Sequence, residues 1–60
     1  MQVGEDYEIE VRPKKGPGAF YSKARVVVHD PKGETVVKYN LTQAPDRFAT
    51  ADIISYSRIR

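Results

Sequence analysis

Apolar and polar residues alternate along much of this chain with the two-residue period of a β-strand. Tyr7, Ile9 and Val11 alternate with charged residues, which predicts a strand with one buried and one solvated face. A β-branched run over residues 24–28 predicts a second strand. Alternation over residues 35–42 predicts a third, with Val37, Tyr39 and Leu41 on its core face.

Turn-forming residues separate these segments. Residues 13–18, 30–33 and 44–46 each contain proline, and Asp30-Pro31-Lys32-Gly33 has the pattern of a type I hairpin turn. Residues 48–54 predict a fourth strand, because Ile53-Ile54 and the absence of helical spacing outweigh the alanines. Residues 20–22 form a possible separate strand, which would make five.

Short strands with turns about every ten residues predict an all-β meander. At this length we expect a small four- to five-stranded antiparallel β-barrel of the OB or SH3-like kind, since closure removes exposed sheet edges. Residues 1–60 are expected to form a single domain. Residues 55–60, with Tyr56 among two arginines, are either the end of the last strand or a basic tail.

Length and composition argue against membrane-spanning, secreted and disulfide-stabilised proteins. A domain of 60 residues buries only about 60% of the surface that its unfolded chain exposes, so stability is expected to be marginal. The chain has no cysteine, no apolar run of the ~20 residues that a membrane span needs, and no signal-peptide pattern. We therefore expect a cytoplasmic protein without membrane association.

The distribution of charge is more informative than the net charge of +2. Residues 1–11 contain four acidic residues and no basic one, whereas residues 12–25 contain five basic residues and no acidic one. This change of sign predicts a negative and a positive face. Cations beside aromatic rings are what single-stranded nucleic acid requires, for phosphates and bases respectively.

Several segments resemble motifs of the TRAM domain, in the family's order. Residues 3–11 resemble its first strand, and Lys15-Gly16-Pro17-Gly18 resembles its K-G-x-G turn. Residues 26–28 followed by 31–36 resemble its apolar strand and P-G-E-x-V motif. Residues 48–54, with the sequence FATADII, resemble its closing F-A-x-A-x-[VI]-[VI] strand.

The resemblance covers residues 3–54 and implies an OB-like barrel that binds RNA. TRAM domains contact tRNA as appendages of RNA-modifying enzymes, and stand-alone archaeal forms resemble cold-shock RNA chaperones. Two places depart from the pattern. Residues 19–25 stand where the family has Ile-Ala and a Gly-containing turn, and Lys32 separates Pro31 from Gly33.

Four basic residues are the candidates for phosphate contact: Lys14, Lys15, Lys23 and Arg25. The alternative is an ordinary solvated surface.

Phe20 and Tyr21 are adjacent, so on a strand their side chains point to opposite faces, and we expect Tyr21 to be the exposed ring. Phe48, beside Arg47, matches a family position near the nucleic acid. Its alternative is a core residue at the end of the barrel.

Catalysis and metal binding have little support in the sequence. His29 is the single histidine and has no cysteine to join it, so no metal site is expected. We interpret it as a turn residue at a strand end, and the alternative is a contact with a phosphate or a base. Asp6, Glu8 and Glu10 stand about 7 Å apart in succession on one strand face, which favours a solvated acidic surface. We expect no enzyme activity and no cofactor.

The preferred hypothesis is a monomeric protein that binds RNA, in preference to DNA, with low sequence specificity. One alternative is a chromatin-type protein that coats duplex DNA and would show an exposed apolar wedge. Another is an SH3-like protein-interaction module, which would show an aromatic groove flanked by acids rather than lysines, or an exposed strand edge that pairs with a partner.

Overall fold

The computed structural model of the chain describes residues 1–39 and 44–59. It contains five antiparallel strands in one sheet, with the spatial order β4-β3-β2-β1-β5. The strands are β1 (Asp6–Val11), β2 (Ala19–His29), β3 (Glu34–Lys38), β4 (Asp46–Ala49) and β5 (Ile53–Arg58). A single 3₁₀ turn, Thr50–Asp52, joins β4 to β5. The prediction of an all-β chain is confirmed.

Two predicted elements have different bounds. Residues 20–22 are not a separate strand but belong to the long strand β2. The fourth predicted strand, residues 48–54, is divided by the 3₁₀ turn. Tertiary hydrogen bonds hold this turn, because the Thr50 N–H donates to the Gly33 carbonyl at 2.9 Å and the Arg12 N–H donates to the Asp52 carbonyl at 2.8 Å. These partners are remote in sequence, so local propensity could not reveal the break.

The ends of two other predicted segments are also located. The third strand was predicted to reach residue 42. β3 ends at Lys38, and residues 40–42, including the predicted core residue Leu41, lie outside the described residues. Of the C-terminal residues, Tyr56 and Arg58 belong to β5, which pairs with β1, so the last-strand interpretation is confirmed as far as Arg58.

The hairpin turn between β2 and β3 has the predicted type. The Gly33 N–H donates to the Asp30 carbonyl at 3.1 Å, and the Asp30 Oδ1 accepts the Lys32 N–H at 3.0 Å. Neither Pro31 nor Lys32 has a positive φ, as a type I turn requires. The aspartate therefore closes the turn twice, with its backbone and with its side chain.

The hydrophobic core lies on one face of the sheet, here called the inner face. Its buried residues come from β1, β2 and β3: Tyr7, Ile9, Val11, Ala24, Val26, Thr35 and Val37. Met1, Tyr21, Phe48 and Ile53 pack against them and are half-buried. The predicted burial of Tyr7 is confirmed. The predicted burial of Tyr39 is wrong: it is 54% exposed, because it lies one residue beyond the end of β3.

Two irregularities in β2 decide which of its side chains face inward. Tyr7 pairs with Ala24 and Ile9 with Tyr21, so two residues of β2 oppose the single residue Glu8. This extra residue is a β-bulge, and it lets Tyr21 and Ala24 both face the core although they are three positions apart. A second irregularity, at Val27, turns Val28 outward.

The sheet is open at both ends. Its edge strands are β4 and β5, and no backbone pairing joins them among the described residues. A membrane-crossing helix is absent from the part of the chain that the structure describes.

Candidate nucleic-acid interface

The face of the sheet opposite the core, here called the outer face, carries most of the charged strand residues. Directly paired residues of an antiparallel sheet project to the same side. Glu10 pairs with Phe20, and Arg25 lies between Asp6 and Lys38. None of these five is paired with a core residue, so they lie on the same face of the sheet, with the Glu10–Phe20 pair four residues along β1 from the Asp6–Arg25 pair.

Phe20 is the exposed ring of the Phe20-Tyr21 pair. The two side chains point to opposite faces, as predicted, but Phe20 is 62% exposed and Tyr21 is half-buried. The expectation that Tyr21 would be the exposed ring is therefore wrong. The reason is register, since Tyr21 pairs with the fully buried Ile9 and must share its face.

Arg25 forms an ion pair with Asp6 and also lies beside a second cation, Lys38. Its guanidinium donates to the Asp6 carboxylate, with Nε 3.0 Å from Oδ1, and this hydrogen bond and the carboxylate charge raise the pKa of Arg25. Because this ion pair is exposed to solvent, water and salt screen it and it contributes little to stability. Lys38 lies directly across from Arg25 on β3, so the row Asp6–Arg25–Lys38 carries two cations and one carboxylate, a net charge of +1.

Further cations surround this pair. Lys23 lies in the β2 bulge opposite Glu8, and Arg47 pairs with Val36 on β3. Val36 pairs in turn with Val28, which is 50% exposed. The three central strands of the outer face therefore combine cations with exposed apolar side chains.

Lys14 and Lys15 are exposed in the loop between β1 and β2. This loop leaves β1 at Val11 and enters β2 one residue before Phe20. Gly16 has a φ of +92°, in the left-handed region that glycine adopts without strain. A side chain at Gly18 would stand 3.1 Å from the Val11 carbonyl oxygen, so this glycine permits a close approach of the backbone.

Tyr21 and Phe48 lie on the inner face, away from these cations. Their rings are stacked with centroids 5.6 Å apart, and Tyr39 meets Tyr21 edge-on at 5.1 Å. We call Tyr21, Tyr39 and Phe48 the aromatic cluster. Asp46 lies beside it, and the pKa of Tyr21 is raised, first by burial and then by the charge of Asp46 and a hydrogen bond to it.

The structure therefore separates the predicted site residues into groups. The outer face holds Phe20, Lys23, Arg25 and Arg47, the neighbouring loop holds Lys14 and Lys15, and the inner face holds Tyr21 and Phe48. The predicted opposition of a negative and a positive face is wrong. Antiparallel pairing of β1 with β2 places acids and bases side by side on the same surface.

Lys38 was missed as a candidate, although the sequence contained the signal. The alternation of residues 35–42 assigned Val37 and Tyr39 to one face, which left Lys38 on the other. Its position beside Arg25, in contrast, depends on the pairing of β2 with β3.

Metal binding finds no support among residues 1–39 and 44–59, where no three potential ligands come together. Comparisons with protein-family models, with characterised proteins and with solved structures find no match to the chain. The TRAM resemblance therefore stays a prediction.

Proposed function

We propose that this protein binds single-stranded RNA, with low sequence specificity, on its outer face. The observation that carries the proposal is the exposed ring of Phe20 on the same face as Lys23, Arg25 and Lys38. Single-strand binders combine cations that follow the backbone with aromatic rings on which bases stack. The flexible reach of Lys14 and Lys15 extends this cationic surface beyond the sheet.

The acidic residues of β1 limit the strength of such an interface. Asp6 compensates part of the charge of Arg25, and Glu10 stands opposite Phe20. Binding through three or four phosphate contacts would be weak and sensitive to salt. This suits a cold-shock-like RNA chaperone or a tRNA-contacting domain, which must release its RNA.

We extend the proposal to the shape of the sheet, the oligomeric state and the cellular location. Side chains from all five strands meet on the inner face, which supports a curled, barrel-like sheet of the TRAM type. The protein would act as a monomer in the cytoplasm, without a cofactor and without catalysis.

The test is a fluorescence-anisotropy titration of a short single-stranded RNA at two salt concentrations. Contact with three or four phosphates predicts a slope of about −2 to −3 in log K against log salt. Phe20→Leu should weaken binding about 5- to 150-fold, since a stacked base contributes about 1–3 kcal/mol. Tyr39→Leu is the matched control, because it removes a similarly exposed ring from the inner face.

Three results would contradict the proposal. These are no binding at low salt, binding that salt does not weaken, and equal losses for Phe20→Leu and Tyr39→Leu. Duplex DNA as a competitor tests the chromatin-type alternative, for which the exposed Val28 beside Val36 would be the apolar wedge. Displacement of the RNA by a lower concentration of duplex would favour that alternative.

A second candidate function rests on the aromatic cluster. Tyr21, Tyr39 and Phe48 lie beside Asp46, which is the aromatic surface flanked by an acid that an SH3-like interaction module would show. NMR mapping distinguishes the two functions. RNA-induced shifts on the outer face favour RNA binding, and their absence favours the interaction module.

A further inference from the structure

A cavity of about 510 Å³, which is an open depression of the surface and not an enclosed chamber, lies on the inner face at the β5 end of the sheet. This volume falls within the range of small-molecule sites, about 300–1,000 Å³. The cavity occurs where the open sheet leaves β5 uncovered. Its walls include Met1, Ile53, Ile54 and Tyr56, with His29 and Thr50 as polar members.

The apolar wall is both exposed and held in place. The Tyr56 ring stands edge-on to the buried ring of Tyr7 at 5.8 Å and remains 54% exposed, and Ile54 is 55% exposed. The Tyr7 hydroxyl accepts the Gln2 N–H at 2.8 Å, which fixes the segment that carries Met1. A planar apolar ligand would therefore meet a preformed surface.

The polar side of the cavity contains a chain of three hydrogen bonds. The Thr50 hydroxyl donates to the Asp30 carbonyl at 2.7 Å. The Thr35 and Thr50 hydroxyl oxygens are 2.6 Å apart, and the Thr35 oxygen is 3.1 Å from His29 Nδ1. Thr35 is fully buried, so water does not replace these partners.

Assigning one hydrogen to each of these three hydrogen bonds determines which ring nitrogen of His29 carries its hydrogen. A carbonyl cannot donate, so the Thr50 hydrogen goes to Asp30. Thr35 must then donate to Thr50, which leaves only its oxygen lone pairs for His29. The imidazole therefore carries its hydrogen on Nδ1, and in the neutral ring Nε2 is a hydrogen-bond acceptor.

We propose that the cavity binds a neutral, planar heteroaromatic molecule that has an N–H donor on its edge. The ring would lie against Tyr56 and Ile53, and its N–H would donate to His29 Nε2. The described side chains that line the cavity include no carboxylate, lysine or arginine, which favours a neutral ligand. Nucleobases and free indoles share this chemistry, and the site is independent of the proposed outer-face function.

The experiment is an NMR titration with two probe pairs that differ in the donor. Indole is compared with N-methylindole, and adenosine with N6,N6-dimethyladenosine. At least one donor-bearing probe should shift the amide signals of His29, Thr50 and Tyr56. Its methylated counterpart should bind about three- to tenfold more weakly, the effect of one net hydrogen bond.

His29→Asn separates the ligand contact from the structural one. An asparagine amide can still donate to Thr35 from the position of Nδ1, but it has no atom at the position of Nε2. The variant should remain folded and should bind the two members of a probe pair equally. Tyr39→Leu, which alters the separate aromatic cluster, should leave the discrimination unchanged.

Other outcomes overturn the proposal. These are no shifts with any donor-bearing probe, shifts confined to the aromatic cluster, and equal binding of methylated and unmethylated probes by the unaltered protein. If a single-stranded RNA displaces the probe, the natural ligand is a base of a strand, and if it does not, the ligand is a free molecule. Phe20→Leu should weaken RNA binding without altering probe binding, so the two proposals fail separately.

Discussion

The hydrogen-bond chain through Thr35 makes a quantitative prediction about stability. Thr35→Val keeps the shape of the side chain but removes the hydroxyl that accepts from His29 and donates to Thr50. Two net hydrogen bonds contribute about 2 kcal/mol. The new buried methyl group stabilises the folded protein by up to about 0.8 kcal/mol and offsets part of this loss. The free energy of unfolding should therefore fall by about 1–2 kcal/mol.

A loss of this size is large for this protein. At about 0.05–0.15 kcal/mol per residue, 60 residues give a total stability of about 3–9 kcal/mol. Each kcal/mol corresponds to about 4–8 °C in a small domain, so Tm should fall by about 4–16 °C. Thermal unfolding followed by circular dichroism, together with urea denaturation, measures the change.

The tautomer of His29 is the more specific measurement. Nitrogen-15 NMR of the neutral imidazole should show the hydrogen on Nδ1 in the unaltered protein and in Thr35→Ser, which keeps the hydroxyl. Thr35→Val should lose this preference. A dominant Nε2–H tautomer in the unaltered protein, or a Thr35→Val variant as stable as it, would refute the reasoning.

Three further predictions follow from other contacts. Asp46→Asn should lower the pKa of Tyr21 towards 10.0 without reaching it, because burial, the larger cause, remains; tyrosinate absorbance measures this. Because the folded pKa of Tyr21 is raised, the stability that it contributes should be lost as pH rises through that pKa. Ile9→Ala should cost about 2–5 kcal/mol and leave little folded protein in urea titrations, whereas Ile9→Val should cost about 0.5–1.5 kcal/mol. Asp6→Asn should strengthen RNA binding and steepen its salt dependence by freeing Arg25, and unchanged affinity would count against the outer face.

Local features were predictable because their causes lie within a few residues. The alternation of Tyr7, Ile9 and Val11 correctly predicted the buried face of β1. The type I turn at residues 30–33 was also correct, since its proline and aspartate act on adjacent backbone groups. That Phe20 and Tyr21 would face opposite sides followed from the strand period alone.

The candidate site was only partly predictable. Which ring of the Phe20-Tyr21 pair would be exposed depended on the pairing of Tyr21 with Ile9, and the pairing of Asp6 with Arg25 placed an acid within the basic surface. Neither partner is near in sequence. The cavity was not predicted at all, because its members come from residues 1, 29 and 50–56.

The residue pattern was sufficient to predict an all-β fold, the positions of most strands and turns, and the residues that could supply cations and rings. The grouping of those residues depends on how the strands pair. A change of register by one residue moves every following side chain to the other face, and the two irregularities in β2 make two such changes. Such changes are stabilised by pairing with β1 and β3, so only the assembled sheet shows that Phe20 faces outward and that His29 meets Thr35.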